Sequence, residues 1–231
     1  MSETLSHKLR SDAQDNRERI LEAARELYAE QGIDVTMRQV ARHAGVGPAT
    51  LYRRFPARQV LLEAVFADEA RACVGIVDDG CADPDPWRGF CSVIEGIMVL
   101  NVGNQGFVDA FLADRGRDAD AFIEHRRTVV ARLRVLARRA TAAGRLRPDF
   151  VVDDLLLVLL AGRGLAVTPA TRTVAAARRF AALAIESFRA SADNGTLPPR
   201  ARVAAALQRE HVAAPGATEL LPMSPLPSGR R

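Results

Sequence analysis

Residues 36–55 contain two runs of about seven residues, each too short to persist as a helix alone, joined by Ala44-Gly45-Val46-Gly47 and then Pro48. Such runs survive only by packing on each other and on a neighbour, which restricts the chain to a few architectures. The first run opens on Thr36-Met37-Arg38-Gln39, which has the form of a capping box and predicts a helix over 37–43. Two glycines then allow a tight turn, and Pro48 suits the first position of a second helix over 48–54, which Pro56 closes. Upstream, Ile20, Leu21, Ala24, Leu27 and Tyr28 form one apolar face of a helix beginning near Asp15, and Gly32 suits its end. The three together read as a helix-turn-helix unit.

Charge sharpens this reading. Residues 35–60 hold Arg38, Arg42, Arg53, Arg54 and Arg58 with no Asp or Glu, a local +5 in a chain whose overall balance is only +4. An acid-free arginine patch is the electrostatic footprint of a polyanion partner. On the second short helix, Leu51 and Phe55 fall four apart and pack inward with Val40 and Val46. Ala49, Thr50, Tyr52 and Arg53 then face outward toward a major groove, with Arg54 and Arg58 near phosphates. A second acid-free run, 125–147, has eight arginines spread along a helical pattern and reads as a solvated face.

The rest of the chain is helical in pattern. A fourth helix is expected over 57–77, then turn chemistry and a domain boundary in DDGCADPDP at 78–86. Further helices follow over 87–102, 107–115, 120–143, 152–166 and 173–190. No period-two alternation is sustained, so the fold class is all-α: a helix-turn-helix domain plus a larger helical C-terminal domain. The domains divide as an arm at 1–13, the DNA-binding unit at 14–56, a connecting helix at 57–77, a C-terminal domain at 78–192 and a mostly disordered tail at 193–231. A short helix over 200–212 is expected within that tail.

Several function classes fall away. Cys73, Cys81 and Cys91 are odd in number and lack C-x-x-C spacing, so neither a disulfide framework nor a zinc site follows. The first thirty residues have no apolar signal segment, and the longest apolar run, 155–167, is too short to span a membrane and contains Arg163. A cytoplasmic protein with no membrane partner is expected. No dinucleotide fingerprint, nucleophile elbow, phosphate loop or H-E-x-x-H appears, and Asp153-Asp154 suit a helix start. No enzyme activity, cofactor or metal is expected.

The order Gly32, Thr36, Ala41, Ala44-Gly45-Val46, Leu51-Tyr52, Phe55 and Leu61-Leu62 resembles the DNA-binding domain of the TetR family of bacterial transcriptional regulators. The resemblance covers about a fifth of the chain. It implies a homodimer on double-stranded operator DNA, with a C-terminal domain that dimerises and takes a small-molecule effector. By position, Thr36 would bond a phosphate and Arg38 would reach a base edge or phosphate. Pro48, Ala49 and Thr50 would line the groove, and Tyr52 would bond a phosphate. Arg54 stands where the family often has His, and Arg58 replaces the frequent Lys. Ala57 and Gln59 depart from the usual polar cap and acid.

An effector pocket is expected from Trp87, Phe90, Ile94 and Met98 on one helix face, with Phe111 and His125. Val174, Ala177, Ala181, Ala184, Ile185 and Phe188 recur at helical spacing and, with Leu156 and Leu160, are expected at the dimer interface. The function implied is a ligand-released repressor on a palindromic operator. The alternatives are an effector-independent architectural DNA-binding protein and a helical carrier or enzyme.

Overall fold

The computed structural model describes residues 2–112, 120–165 and 170–199, with side chains at all of these except 2–13, 105, 112, 120–123, 163 and 170–171. Among them the elements are α1 (Ser2–Gln31), α2 (Met37–His43), α3 (Pro48–Arg54), α4 (Arg58–Val65), α5 (Ala67–Ala82), α6 (Pro86–Gly103), α7 (Gln105–Leu112), α8 (Asp120–Ala142), α9 (Val152–Gly162), a 3-10 turn (Arg163–Leu165) and α10 (Ala170–Phe188). The expected all-α class is what the structure shows. Helix α1 runs back through the segment expected to be an arm: nothing between Ser2 and Gln31 is Gly or Pro, so no residue there stops the backbone. The expected helix at 200–212 and nearly all of the tail lie outside the described residues.

The N-terminal unit is built from local signals. Thr36 caps α2: its side-chain oxygen accepts from the Gln39 amide at 3.3 Å, and Gln39 Oε1 accepts from the Thr36 amide at 2.9 Å. Gly32 and Gly45 adopt positive φ, 78° and 63°, where side chains are strained. The turn after α2 is also clamped from outside. Arg19 on α1 donates from Nη2 to the carbonyls of Ala44 at 2.7 Å and Gly45 at 3.3 Å, and a Cβ on Gly45 would lie 2.9 Å from that nitrogen. Ile20, Tyr28, Val40, Leu51, Phe55 and Leu61 fill the space between the helices.

The expected fourth helix is two. Phe66 leaves helical geometry at φ −104° and ψ 19°, separating α4 from α5, because its ring is buried between Tyr28 of α1 and Phe107 of α7. Beyond it, the stretch expected as a turn is helix as far as Ala82, and only residues 83–85 turn. Composition misleads here because Gly80 serves close packing. A Cβ on Gly80 would lie 2.8 Å from the Gly89 carbonyl oxygen, and one on Gly89 would run into the Gly80 carbonyl, so α5 and α6 touch backbone to backbone. The α5 terminus is satisfied by Arg139 of α8, which donates to the carbonyls of Cys81 at 2.6 Å and Asp83 at 3.0 Å. Asp85 then caps α6, accepting from the amides of Trp87 and Arg88.

Helix α6 is the axis of the C-terminal half, with α5, α8, α9 and α10 packed around it. The arginine-rich 125–147 run is only in part the solvated face expected: Arg127, Arg134, Arg138 and Arg145 are exposed, but the others turn inward. Arg126 and Arg147 are buried, Arg132 pairs with Asp78 of α5, and Arg147 holds Asp149 with two nitrogens at 2.6 and 3.0 Å while also bonding the carbonyls of Ser187 and Gly195. These bonds, with the Leu146–Arg189 bridge, join the link after α8 to the end of α10.

Two substitutions test this account by urea denaturation. Gly45→Ala should destabilise by about 1–2 kcal/mol through its left-handed backbone alone. Gly89→Ala should cost about 1–3 kcal/mol by forcing α5 and α6 apart.

Candidate nucleic-acid interface and interior cavity

Burial separates the two faces of α3 as its sequence requires. Leu51 and Phe55 are 0% and 2% exposed, and their burial anchors the helix by about 1.5–3 kcal/mol each. On the other face Pro48, Ala49, Arg53 and Arg54 are exposed, Thr50 is half-buried and Tyr52 is 47% exposed, large for an aromatic ring with no intramolecular reason to face water. Arg38 and Arg42 are also exposed, on α2. His43 makes a 2.7 Å contact from Nε2 to Glu26, and Arg17 stacks over Phe55, with its guanidinium carbon 5.9 Å from the ring centre. The result is a convex, cationic edge with a small-residue centre, shaped for a groove with phosphates on either side.

Two of the residues expected at phosphates have other partners in the protein. The Thr36 hydroxyl lies 2.6 Å from Gln39 Oε1 and is engaged in capping α2. Arg58 is drawn inward: its side chain is 28% exposed, its buried Nη2 is 4.0 Å from Asp34, and its charge acts on the Tyr28 hydroxyl. Burial nevertheless pushes the Tyr28 pKa up to about 12.

Behind this unit, between α5, α6, α7, α8 and α9, lies a narrow cavity that is partly open to solvent. Its walls are Cys73, Ile97, Asn101, Phe107, Val108, Phe111, Val129, Val130, Leu133, Leu156, Leu159 and Leu160. None of these is charged. Burial raises the Cys73 thiol to about 11, so it stays protonated. Asn101 is buried, and its carboxamide forms no hydrogen bond with any described residue. His125 stands edge-on to two wall rings, 5.6 Å from Phe111 and 6.5 Å from Phe107 between ring centres. Desolvation, with Arg126 adjacent, lowers its pKa.

Of the residues expected at an effector pocket, Phe111 is in the wall and His125 backs it. Trp87 and Phe90 are elsewhere, in an aromatic cluster with Phe150 and Phe188 near the start of α6 and the end of α10. Ile94 and Met98 are fully buried on α6, Met98 against Gly162. Leu156 and Leu160, expected at a dimer interface, line the cavity. Sequence reasoning passed over Val108, Val129 and Val130 because a Val on a helix face carries no mark separating a cavity wall from plain core.

The cavity and the helix-turn-helix unit share a wall. Phe111 touches Phe107, with ring centres 6.1 Å apart; Phe107 touches Phe66 at 6.1 Å; and Phe66 stacks on Tyr28 of α1 at 6.0 Å. Gly106 makes the crossing possible, since a Cβ there would sit 3.0 Å from the Phe66 ring and 3.6 Å from Tyr28.

Comparison with known proteins agrees with this geometry. Residues 20–65 match the family model described as bacterial regulatory proteins, tetR family. An HTH-type transcriptional regulator of Staphylococcus aureus (strain USA300) is 44% identical over 48 residues, 20% of this chain and 26% of that protein, so the match spans only about a quarter of its length. The fold extends further. The TetR family transcriptional regulator PfmR from Thermus thermophilus superposes with a TM-score of 0.59 at 20% identity, covering 72% of this chain and 97% of that one. A bacterial regulatory protein in the tetR family from Rhodococcus RHA1 gives 0.60 at 16% identity, covering 76% and 98%. Residues 20–65 are thus similar to the helix-turn-helix segment of the TetR family of bacterial regulatory proteins, and along most of its length the chain shares its fold with solved structures of such regulators.

Proposed function

We propose that the chain is a transcriptional regulator that binds a palindromic operator as a homodimer and is released from it by a small molecule in the interior cavity. The observation that carries the DNA-binding part is the exposed face of α3, where Pro48, Ala49, Tyr52, Arg53 and Arg54 meet solvent while Leu51 is sealed beneath. Arg53 and Thr50 would read bases, with Pro48 and Ala49 offering apolar contact to thymine methyls. Tyr52 and Arg54 would hold phosphates, with Arg38 reaching base or phosphate from α2. Thr36 would have to exchange its Gln39 contact, and Arg58 its place beside Asp34, to join them.

Dimerisation uses a different face from the small-residue stripe. Ala177, Ala181, Ala184, Ile185 and Phe188 are buried within the subunit, where α10 packs on α6, and Val174 is half-buried. The faces left for a second copy carry Leu183 and Ala182 on α10 and Leu157 and Ala161 on α9, with Leu183 56% and Leu157 43% exposed. Two copies joined there would present two α3 helices to successive major grooves about 34 Å apart. Effector binding would favour a spacing that no longer fits.

Footprinting of the purified protein on DNA flanking its own gene tests the reading directly. Protection of a symmetric site is expected, and no protection at low ionic strength would refute it. Arg54→Ala should weaken binding to all duplexes and reduce the salt slope by about one, whereas Arg53→Ala should change which sequence is preferred, as read by electrophoretic shift over a randomised site. Leu157→Glu with Leu183→Glu should give a monomer by sedimentation velocity while leaving the circular dichroism of the folded chain intact.

A further inference from the structure

We infer that the interior cavity takes a neutral, mostly hydrocarbon molecule with a single hydrogen-bonding group, and that Asn101 reads that group. The inference deepens the regulator reading by naming the class of its effector, and rests on that reading for the effector's role.

Three observations lead to it. First, among the described residues the wall is apolar apart from Asn101 and a protonated Cys73, and holds no charged side chain. A carboxylate or ammonium placed there would lose its hydration with no described wall side chain of opposite charge to replace it. Second, the Asn101 carboxamide is buried on α6 without a hydrogen-bond partner among the described residues, and offers both a donor and an acceptor to whatever fills the cavity. A hydroxyl, ketone or amide would satisfy it. Third, His125 behind Phe107 and Phe111 has its pKa lowered by burial, so at neutral pH it adds no positive charge that would welcome an anion. Arg126, next along α8, is held over the Phe111 ring at 5.8 Å and is not part of the wall.

The probes are octan-1-ol, octanoate and octylammonium, matched in length and differing in charge, with butylbenzene as a probe lacking polar atoms. Binding to the full chain is measured by isothermal titration calorimetry and by the shift in melting temperature, both without DNA. Octanol is expected to bind at least about tenfold more tightly than either ion at pH 7. Asn101→Leu should weaken octanol by about three- to tenfold and leave butylbenzene equal or tighter. Octanoate or octylammonium matching octanol would overturn the inference, as would binding of none of the probes, or an Asn101→Leu protein that holds octanol undiminished. The wild-type series decides the charge question even if the variant does not fold. Octanol binding that leaves the DNA complex intact would sink the effector role while upholding the ligand class; preference for octanoate would sink the ligand class while leaving DNA binding untouched.

Discussion

The placement of the two halves depends on one aromatic ring. Phe66 sits where α4 gives way to α5, sealed between Tyr28 and Phe107, and its contacts supply the link between the helix-turn-helix unit and the helices behind it. Aromatic contacts of this kind contribute about 0.5–1.5 kcal/mol beyond the area they bury, but their geometric effect matters more here. Phe66 breaks a helix that the sequence pattern would carry straight through, and so sets the direction in which α5 leaves. Gly106 is the complementary concession on α7, keeping its backbone low enough for the rings to meet.

Below that joint the helix-turn-helix unit is internally determined. The Thr36 capping box, the left-handed Gly45 and the proline opening α3 each act within a few residues, and Arg19 is the tie that brings α1 onto the turn. Arg19 is exposed to solvent, yet its guanidinium is committed to two backbone carbonyls. It fixes the turn and so the angle at which α3 projects. The exposed tyrosine and arginines of α3 are therefore mounted on a rigid base rather than on a mobile loop.

What could be read from the sequence follows the same division between local and distant causes. Helices α2 and α3 have the boundaries their caps, glycines and prolines predict, because those signals act on the backbone directly. The stretch 78–82 misled because Asp and Gly are turn residues by habit, whereas Gly80 answers to Gly89 on another helix. The stripe Ala177, Ala181, Ala184 was legible as a close-packing face, but not what it packs on: a helix of the same chain serves as well as one from a partner. Likewise Trp87 and Phe90 carry the same apolar signal as Phe107 and Phe111, and only the tertiary arrangement sends one pair to a closed cluster and the other to a cavity wall. Arg126 and Arg147 escaped for the opposite reason, since an arginine run reads as surface until its members find partners across the bundle.

Phe107 belongs at once to the cavity wall and to the column that reaches α1. Close-packed interiors yield in discrete steps rather than smoothly. A guest small enough to leave this phenyl group undisturbed would occupy the chamber without any message leaving it; a bulkier one must shoulder the ring aside and so lean on Phe66. Tight occupancy and effective signalling are then separate virtues in a visitor, and the second is measured by girth at one wall.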